Sequence, residues 1–131
     1  MEHIELEQKV MDMLLAGDDP VLEELRNQFF DSKVEHRDFT GVGFFTGYQV
    51  REGIPPVLNA KNFEIDDVIA SHETLKFPFG FILFIRNGYL STLEGYTFGD
   101  DTWPENYINV ILKYNTPDGK RDVQKLRAQW S

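Results

Sequence analysis

The sequence predicts an α+β fold, with two N-terminal helices, a mostly antiparallel sheet built from hairpins, and a short C-terminal helix. Two observations lead to this prediction. Up to Phe29, apolar residues recur at the spacing of helices that bury one face. Beyond that point, apolar and polar residues alternate in short runs separated by glycine-containing turns, as in hairpins. The 131 residues show no repeat and no linker, so we expect a single α+β domain over residues 1–131.

The two helices are predicted from their apolar spacing and from the residues at their ends. The first covers residues 3–15 and ends before Gly17, which adopts a left-handed conformation without strain. The second starts at Asp19-Pro20, because aspartate caps the first amides and proline gives up an amide that has no partner. One stripe of this second helix is apolar and consists of Val21, Leu22, Leu25 and Phe29.

A first hairpin follows the helices. From Lys33 the pattern takes the period of a strand, and a glycine-containing turn comes at residues 40–43. We therefore expect a hairpin over residues 33–51. Pro55-Pro56 cannot continue it, because proline has no backbone donor for a sheet. The pattern of residues 66–76 does not distinguish a strand from a helix.

A second hairpin is the clearest element of the sequence. Asn87-Gly88 stands between two apolar runs, and this pair favours a two-residue turn in which both central residues have positive φ. A regular ladder from that turn places Glu94 opposite Phe81, on a face that is otherwise apolar. A strand over residues 107–114 and a short closing helix complete the prediction.

The composition excludes several classes of function. There is no cysteine, which rules out disulfides, zinc–cysteine sites, iron–sulfur clusters and a cysteine nucleophile. The formal net charge of −9 disfavours binding to nucleic acid, which needs a basic surface. Because His3, His36 and His72 lack the spacing of metal ligands, we expect neither a metal ion nor another cofactor.

The distribution of apolar residues predicts a cytoplasmic protein. The N-terminal residues are acidic and lack the basic and apolar regions of a signal peptide. The most apolar run, residues 77–85, is interrupted by Pro78 and Gly80 and is much shorter than the ~20 residues of a membrane-spanning helix. We therefore expect no contact with membranes.

The charge is unevenly distributed along the chain. Residues 1–35 carry ten acidic side chains and three basic ones, whereas residues 113–131 carry five basic side chains and two acidic ones. An acidic surface speeds association with a basic partner, although acidic helix faces also serve solubility alone. The sequence thus predicts a protein partner that binds through the acidic N-terminal helices.

Glu94 is the polar residue of a candidate pocket. On the predicted apolar face, a carboxylate without a partner would have a raised pKa, as many acid–base groups and ligand anchors do. The candidate pocket combines residues of both hairpins and of the following loop: Glu94, Arg37, Tyr48, Tyr96 and Trp103. The alternative is structural, with Glu94 paired to Arg37, to Arg51 or to backbone amides near Gly95.

No catalytic residue is predicted from the sequence. Ser71-His72-Glu73 has the residue types of a hydrolase triad, but neighbours along the chain point apart, and triads are assembled from distant positions. Residues 40–43 contain a Gly-x-Gly pattern but lie between two predicted strands. A phosphate-binding loop leads from a strand into a helix, so these residues are predicted to form a turn.

Three segments of the chain resemble a family of small bacterial proteins of unknown function. They are residues 22–28 (LEELRNQ), residues 39–45 (FTGVGFF), and residues 93–98 (LEGYTF) through Trp103-Pro104. The resemblance covers most of the chain, from the second helix to the Trp-Pro loop. It implies bacterial origin and one α+β domain, and it carries over no catalytic residue.

These observations lead to three hypotheses about function. The first is a non-catalytic acidic interaction or regulatory protein, for example of the immunity type. The second, which is the alternative to the first, is a small-molecule-binding protein or hydrolase-like enzyme with a pocket around Glu94. The third is a homodimer that uses the aromatic sheet face as its interface.

Overall fold

Two helices open the chain and a seven-stranded antiparallel sheet follows, so the predicted α+β architecture is confirmed. The computed structural model describes all residues from Met1 to Ser131. The helices are α1 His3–Leu14, α2 Pro20–Phe30 and α3 Val123–Arg127. The strands are β1 Lys33–Phe39, β2 Gly43–Gln49, β3 Phe63–Ile65, β4 Val68–Ser71, β5 Phe79–Arg86, β6 Tyr89–Tyr96 and β7 Ile111–Tyr114.

The start of α2 follows from its local sequence. The Asp19 side chain accepts a hydrogen bond from the amide of Val21 at 2.8 Å, and Pro20 occupies the first turn, as predicted. Arg26 of α2 stabilises the connection between α1 and α2, because its Nη1 donates to the carbonyl oxygens of Leu15 and Gly17. No helix is both long enough and apolar enough to cross a membrane.

The sheet has two different faces. Its strand order is β1-β2-β6-β5-β4-β7, with β3 paired to β5 beside β4, so β1 and β7 are edge strands. One face, the inner face, packs against the helices in a single cluster of 25 buried residues. Alternate residues of the central strands form the other, outer face and remain half-buried or exposed: Phe45, Ile82, Phe84, Thr92, Glu94 and Tyr96.

The β5–β6 hairpin forms as predicted, but its predicted register is wrong. Asn87 and Gly88 both have positive φ, and Ile85 pairs with Leu90. A β-bulge at Ser91 then shifts the ladder by one residue, since Phe84 pairs with Thr92. The remaining side chains of β6 therefore point to the opposite face from the one predicted.

The bulge is explained by two buried leucines. Leu90 and Leu93 are three positions apart, so a regular strand would place one of them on each face. With the bulge both lie in the core, at 2% and 0% exposure. As a consequence Glu94 pairs with Ile82 instead of Phe81 and lies on the outer face.

The structure defines one segment that the sequence left open and shortens another. Residues 66–76, whose conformation the sequence left open, contain the short strand β4 and a turn closed by the bond from the amide of Leu75 to the carbonyl of His72. The strand predicted over residues 107–114 begins only at Ile111. The closing helix forms as expected and places Leu126 in the core.

Candidate functional site

A buried carboxylate, Glu7 of α1, is the centre of the most extensive polar cluster in the structure. Glu7 is 4% exposed. Arg37 of β1 donates to it from Nε and from Nη2, both at 2.9 Å, and the Thr46 hydroxyl of β2 donates at 2.6 Å. His3, one turn earlier on α1, lies 2.8 Å from the same carboxylate. Glu7 therefore fastens α1 to the first two strands of the sheet.

The electrostatics of the cluster favour an ionised Glu7. Burial alone would raise its pKa, but hydrogen bonds from His3, Arg37 and Thr46 outweigh burial and lower the pKa to about 2. The same hydrogen bonds between Arg37 and Glu7 raise the pKa of Arg37. The pair is thus charged over the whole neutral range, and neither charge is left without a partner.

The cluster continues through His3 to the Trp-Pro loop. His3 Nδ1 lies 2.7 Å from the Tyr107 hydroxyl, which also accepts a bond from Trp103 Nε1 at 2.9 Å. Because the ionised Glu7 can only accept, His3 donates to it from Nε2, and the other ring nitrogen of His3 is hydrogen-bonded to the Tyr107 hydroxyl. Burial raises the pKa of Tyr107, which keeps its hydroxyl protonated. Each polar group of this cluster is hydrogen-bonded to another one. The cluster therefore has a structural role, which is to position α1 relative to the sheet and the Trp-Pro loop.

Beside this cluster a groove of about 460 Å³ opens between α1, α2 and β1. Glu7 and Arg37 contribute to its lining, together with Tyr48, whose pKa is raised by burial. Large apolar side chains with high exposure surround it: Ile4 at 65%, Phe30 at 86% and Val34 at 41%. The groove is the place where exposed apolar surface and the acidic helices meet.

The structure does not bring the five predicted pocket residues together. Arg37 and Tyr48 line the groove on the inner side of the sheet. Trp103 is 9% exposed and packs its ring against the core rings of Phe44, Phe79 and Phe81. Glu94 and Tyr96 lie on the outer face.

Glu94 has no hydrogen bond and no ion pair, so its predicted structural partners are wrong. Arg37 binds Glu7 on the inner face, and Arg51 binds Asp31 at 3.0 Å. The reason is the bulge in β6, which turns Glu94 to the outer face, between Phe45 and Ile82. Burial raises the pKa of Glu94 there. It lines none of the main cavities of the protein, because its surroundings are open sheet.

The remaining titratable side chains form no reactive constellation. His72 is buried, whereas Ser71 and Glu73 are exposed, as expected for sequence neighbours that point apart. His36 and Asp38 share the outer face of β1, with 3.8 Å between His36 Nε2 and Asp38 Oδ2. No group of three or more metal-ligating side chains is placed to hold an ion.

The basic C-terminal part of the chain packs against the acidic helices. Arg121 donates to the carbonyl oxygens of Leu14 and Ala16 at the end of α1 and forms an ion pair with Asp67. Arg127 bonds Asp19 at 2.9 Å. Several acidic side chains of the helical region remain exposed nonetheless, namely Glu2, Glu5, Asp12, Asp18, Glu23 and Glu24.

Comparison with protein-family models, with curated proteins and with solved structures found no match to this chain.

Sequence reasoning missed the Glu7 cluster, although one signal pointed to it. In α1 the buried positions are Leu6, Glu7, Val10, Met11 and Leu14, so Glu7 lies on the apolar stripe at helical spacing. A charged residue on such a stripe needs a buried partner. Its partners, 30 and 39 positions away in sequence, have no local signature.

Proposed function

We propose that this protein is a non-catalytic interaction module that binds a basic protein partner through its acidic N-terminal helices. One observation leads to this proposal. Ile4, Phe30 and Val34, all strongly exposed, converge on a groove whose walls are the two acidic helices and β1. Immunity-type and regulatory proteins belong to this functional class.

Charge and apolar surface have separate roles in the proposed contact. The exposed carboxylates of α1 and α2 attract a basic surface over a distance and raise the rate of association. The exposed side chains of Ile4 and Phe30 become buried when the partner fills the groove, and their removal from water stabilises the complex. The partner that fits is therefore a basic protein with an apolar segment that enters the groove.

The groove, and not the free edge of β1, is the proposed contact. β1 pairs only with β2, which leaves the other side of this edge strand open to pairing. However, the strand carries charged residues and an irregularity between Val34 and His36, two features that protect edges from other strands.

A non-catalytic role is supported by the state of the buried polar groups. Catalytic acids and bases need free access to a substrate atom. In the groove the carboxylate of Glu7 already accepts bonds from His3, Arg37 and Thr46. Reaching a substrate would require breaking this cluster.

The proposal is tested by capture on the immobilised protein from a lysate of its native host, with a matched pair of variants. Ile4→Ser removes an apolar side chain at the groove, while Ile111→Ser removes one of nearly equal exposure, 63% against 65%, from β7. We expect a protein that wild type and Ile111→Ser retain, that Ile4→Ser loses, and that roughly 0.5 M salt releases. Retention by Ile4→Ser at the wild-type level, or no salt-sensitive binder at all, contradicts the proposal.

A further inference from the structure

The outer face of the sheet carries an anion without a partner. Glu94 stands between Phe45 and Ile82 on the neighbouring strands, and Tyr96 follows on the same face. Phe45 is 37% exposed, and the other three side chains are half-buried. We propose that this face is a second interaction surface, on which Glu94 binds an arginine side chain of a protein partner.

No basic side chain of the chain forms an ion pair with Glu94. Arg86, on the same face of β5, is held by Glu64 at 3.4 Å and by the ring of Phe84 at 5.0 Å. Arg37 lies on the inner face and binds Glu7. A half-buried carboxylate without a counter-charge costs free energy, and a partner's cation would remove that cost.

The flanking residues favour arginine over lysine. A guanidinium group is planar, is weakly hydrated, pairs with a carboxylate through two parallel bonds and stacks on aromatic rings. Phe45 and Tyr96 supply rings on the same face as Glu94. A lysine ammonium gains less from these neighbours, because it is more strongly hydrated.

The shape of the surface favours a protein over a small molecule. Small ligands bind in cavities that bury most of their surface. Glu94, Phe45 and Ile82 lie on three strands and line none of the main cavities, and only Tyr96 also borders one, a cavity of about 190 Å³ beside Asp66 and Asp67. An arginine on a protein surface reaches such a site while apolar residues around it cover the face.

A second copy of the chain fits this face less well than a partner with an arginine. In a two-fold contact the same patch meets itself, and the patch of Glu94, Phe45, Ile82 and Tyr96 contains no basic side chain to place opposite the carboxylate. The contact would therefore bring two negative charges into one interface without a counter-charge, which is unfavourable. The homodimer expected from the aromatic residues is therefore an alternative occupant that the experiment must distinguish.

A random-peptide phage library panned on the wild-type protein tests the proposal. Glu94→Gln keeps the shape and removes the charge, and Glu73→Gln removes the charge of an exposed glutamate elsewhere. We expect a class of enriched peptides with an arginine flanked by apolar residues. These peptides should lose affinity for Glu94→Gln by at least about tenfold, and keep it for Glu73→Gln and Ile4→Ser. The last control separates this surface from the groove of the proposed function.

Three results would overturn the inference. They are the absence of any enriched peptide, enriched peptides that all lack arginine, and equal affinity of the arginine peptides for wild type and Glu94→Gln. Light scattering on the free protein adds a further check. Wild type should be monomeric, and a dimer that Glu94→Gln strengthens would show that a second copy covers this face instead.

Discussion

The carboxylate of Glu7 and the guanidinium of Arg37 form a two-point ion pair, with both Arg37 nitrogens 2.9 Å from a Glu7 oxygen. This pair joins the first helix to an edge strand 30 positions later in the sequence. Its geometry is specific to arginine, because a lysine offers no planar fork to a carboxylate. The pair thus adds a contact with α1 to the ladder that β1 forms with β2.

Removal of the Glu7 carboxylate should destabilise the fold. Glu7→Ala leaves Arg37, Thr46 and His3 without their acceptor, and breaking such a pair from one side costs about 3 kcal/mol. The free energy of unfolding from urea titrations measures this cost. Glu24→Ala, which removes an exposed carboxylate from α2, should change the free energy of unfolding by less than about 0.5 kcal/mol. Equal costs for the two variants would show that the cluster does not stabilise the fold.

The pKa of Glu7 predicts an acid-dependent loss of stability. Because folding lowers this pKa from 4.5 to about 2, ionised Glu7 contributes its full stabilisation above pH 4.5. The contribution falls as the pH decreases through this window and is lost below about pH 2. Urea titrations across that range should show a smaller decrease for Glu7→Gln than for wild type. Parallel pH profiles for the two proteins would refute this assignment.

A matched pair of glycines separates backbone strain from close packing. Gly88 and Gly119 have similar positive φ, 78° and 74°. A Cβ on Gly88 would lie 2.6 Å from Pro56 Cβ and 2.7 Å from the Val57 carbonyl oxygen, whereas a Cβ on Gly119 meets nothing within 4 Å. Gly119→Ala should cost about 1 kcal/mol, from strain alone. Gly88→Ala should cost at least about 2 kcal/mol more in thermal or urea unfolding. Similar costs would mean that the segment around Pro56 yields easily.

The two arginines of the C-terminal region should differ in their contribution to stability. Arg121, whose side chain is 8% exposed, bonds the carbonyl oxygens of Leu14 and Ala16 and both oxygens of Asp67. Arg121→Ala should therefore cost about 3 kcal/mol of unfolding free energy. Arg127, whose side chain is 53% exposed, makes a single bond to Asp19, and Asp19 keeps its bond to the Val21 amide, so Arg127→Ala should cost less than about 1 kcal/mol. The reverse order would disprove the anchoring role given to Arg121.

Local signals made most of the fold predictable. Asp19-Pro20 marks a helix start and Asn87-Gly88 a two-residue turn, and both act over a few residues. The face of Glu94 was not predictable in the same way, because the bulge at Ser91 depends on how Leu90 and Leu93 fit the core. That fit is a property of the assembled molecule and not of the hairpin alone.

The candidate site was less predictable than the fold. Arg37 and Tyr48, two residues of the pocket predicted around Glu94, line the groove instead, and the carboxylate beside them there is Glu7 and not Glu94. The resemblance of three segments to a bacterial family stays a prediction. The site was hard to predict because its residues are far apart in sequence. His3 and Tyr107, for example, are 104 positions apart, and no local pattern indicates their contact.

The contact of Arg121 with the end of α1 has a consequence for the order of folding. The carbonyl oxygens of Leu14 and Ala16 accept hydrogen bonds from a side chain that is synthesised more than a hundred positions later. While the ribosome synthesises the sheet, the helices have emerged but lack this cap. Contacts of such long range form slowly and leave apolar surface open in the meantime. The helical region therefore completes its packing only after Arg121 has been synthesised.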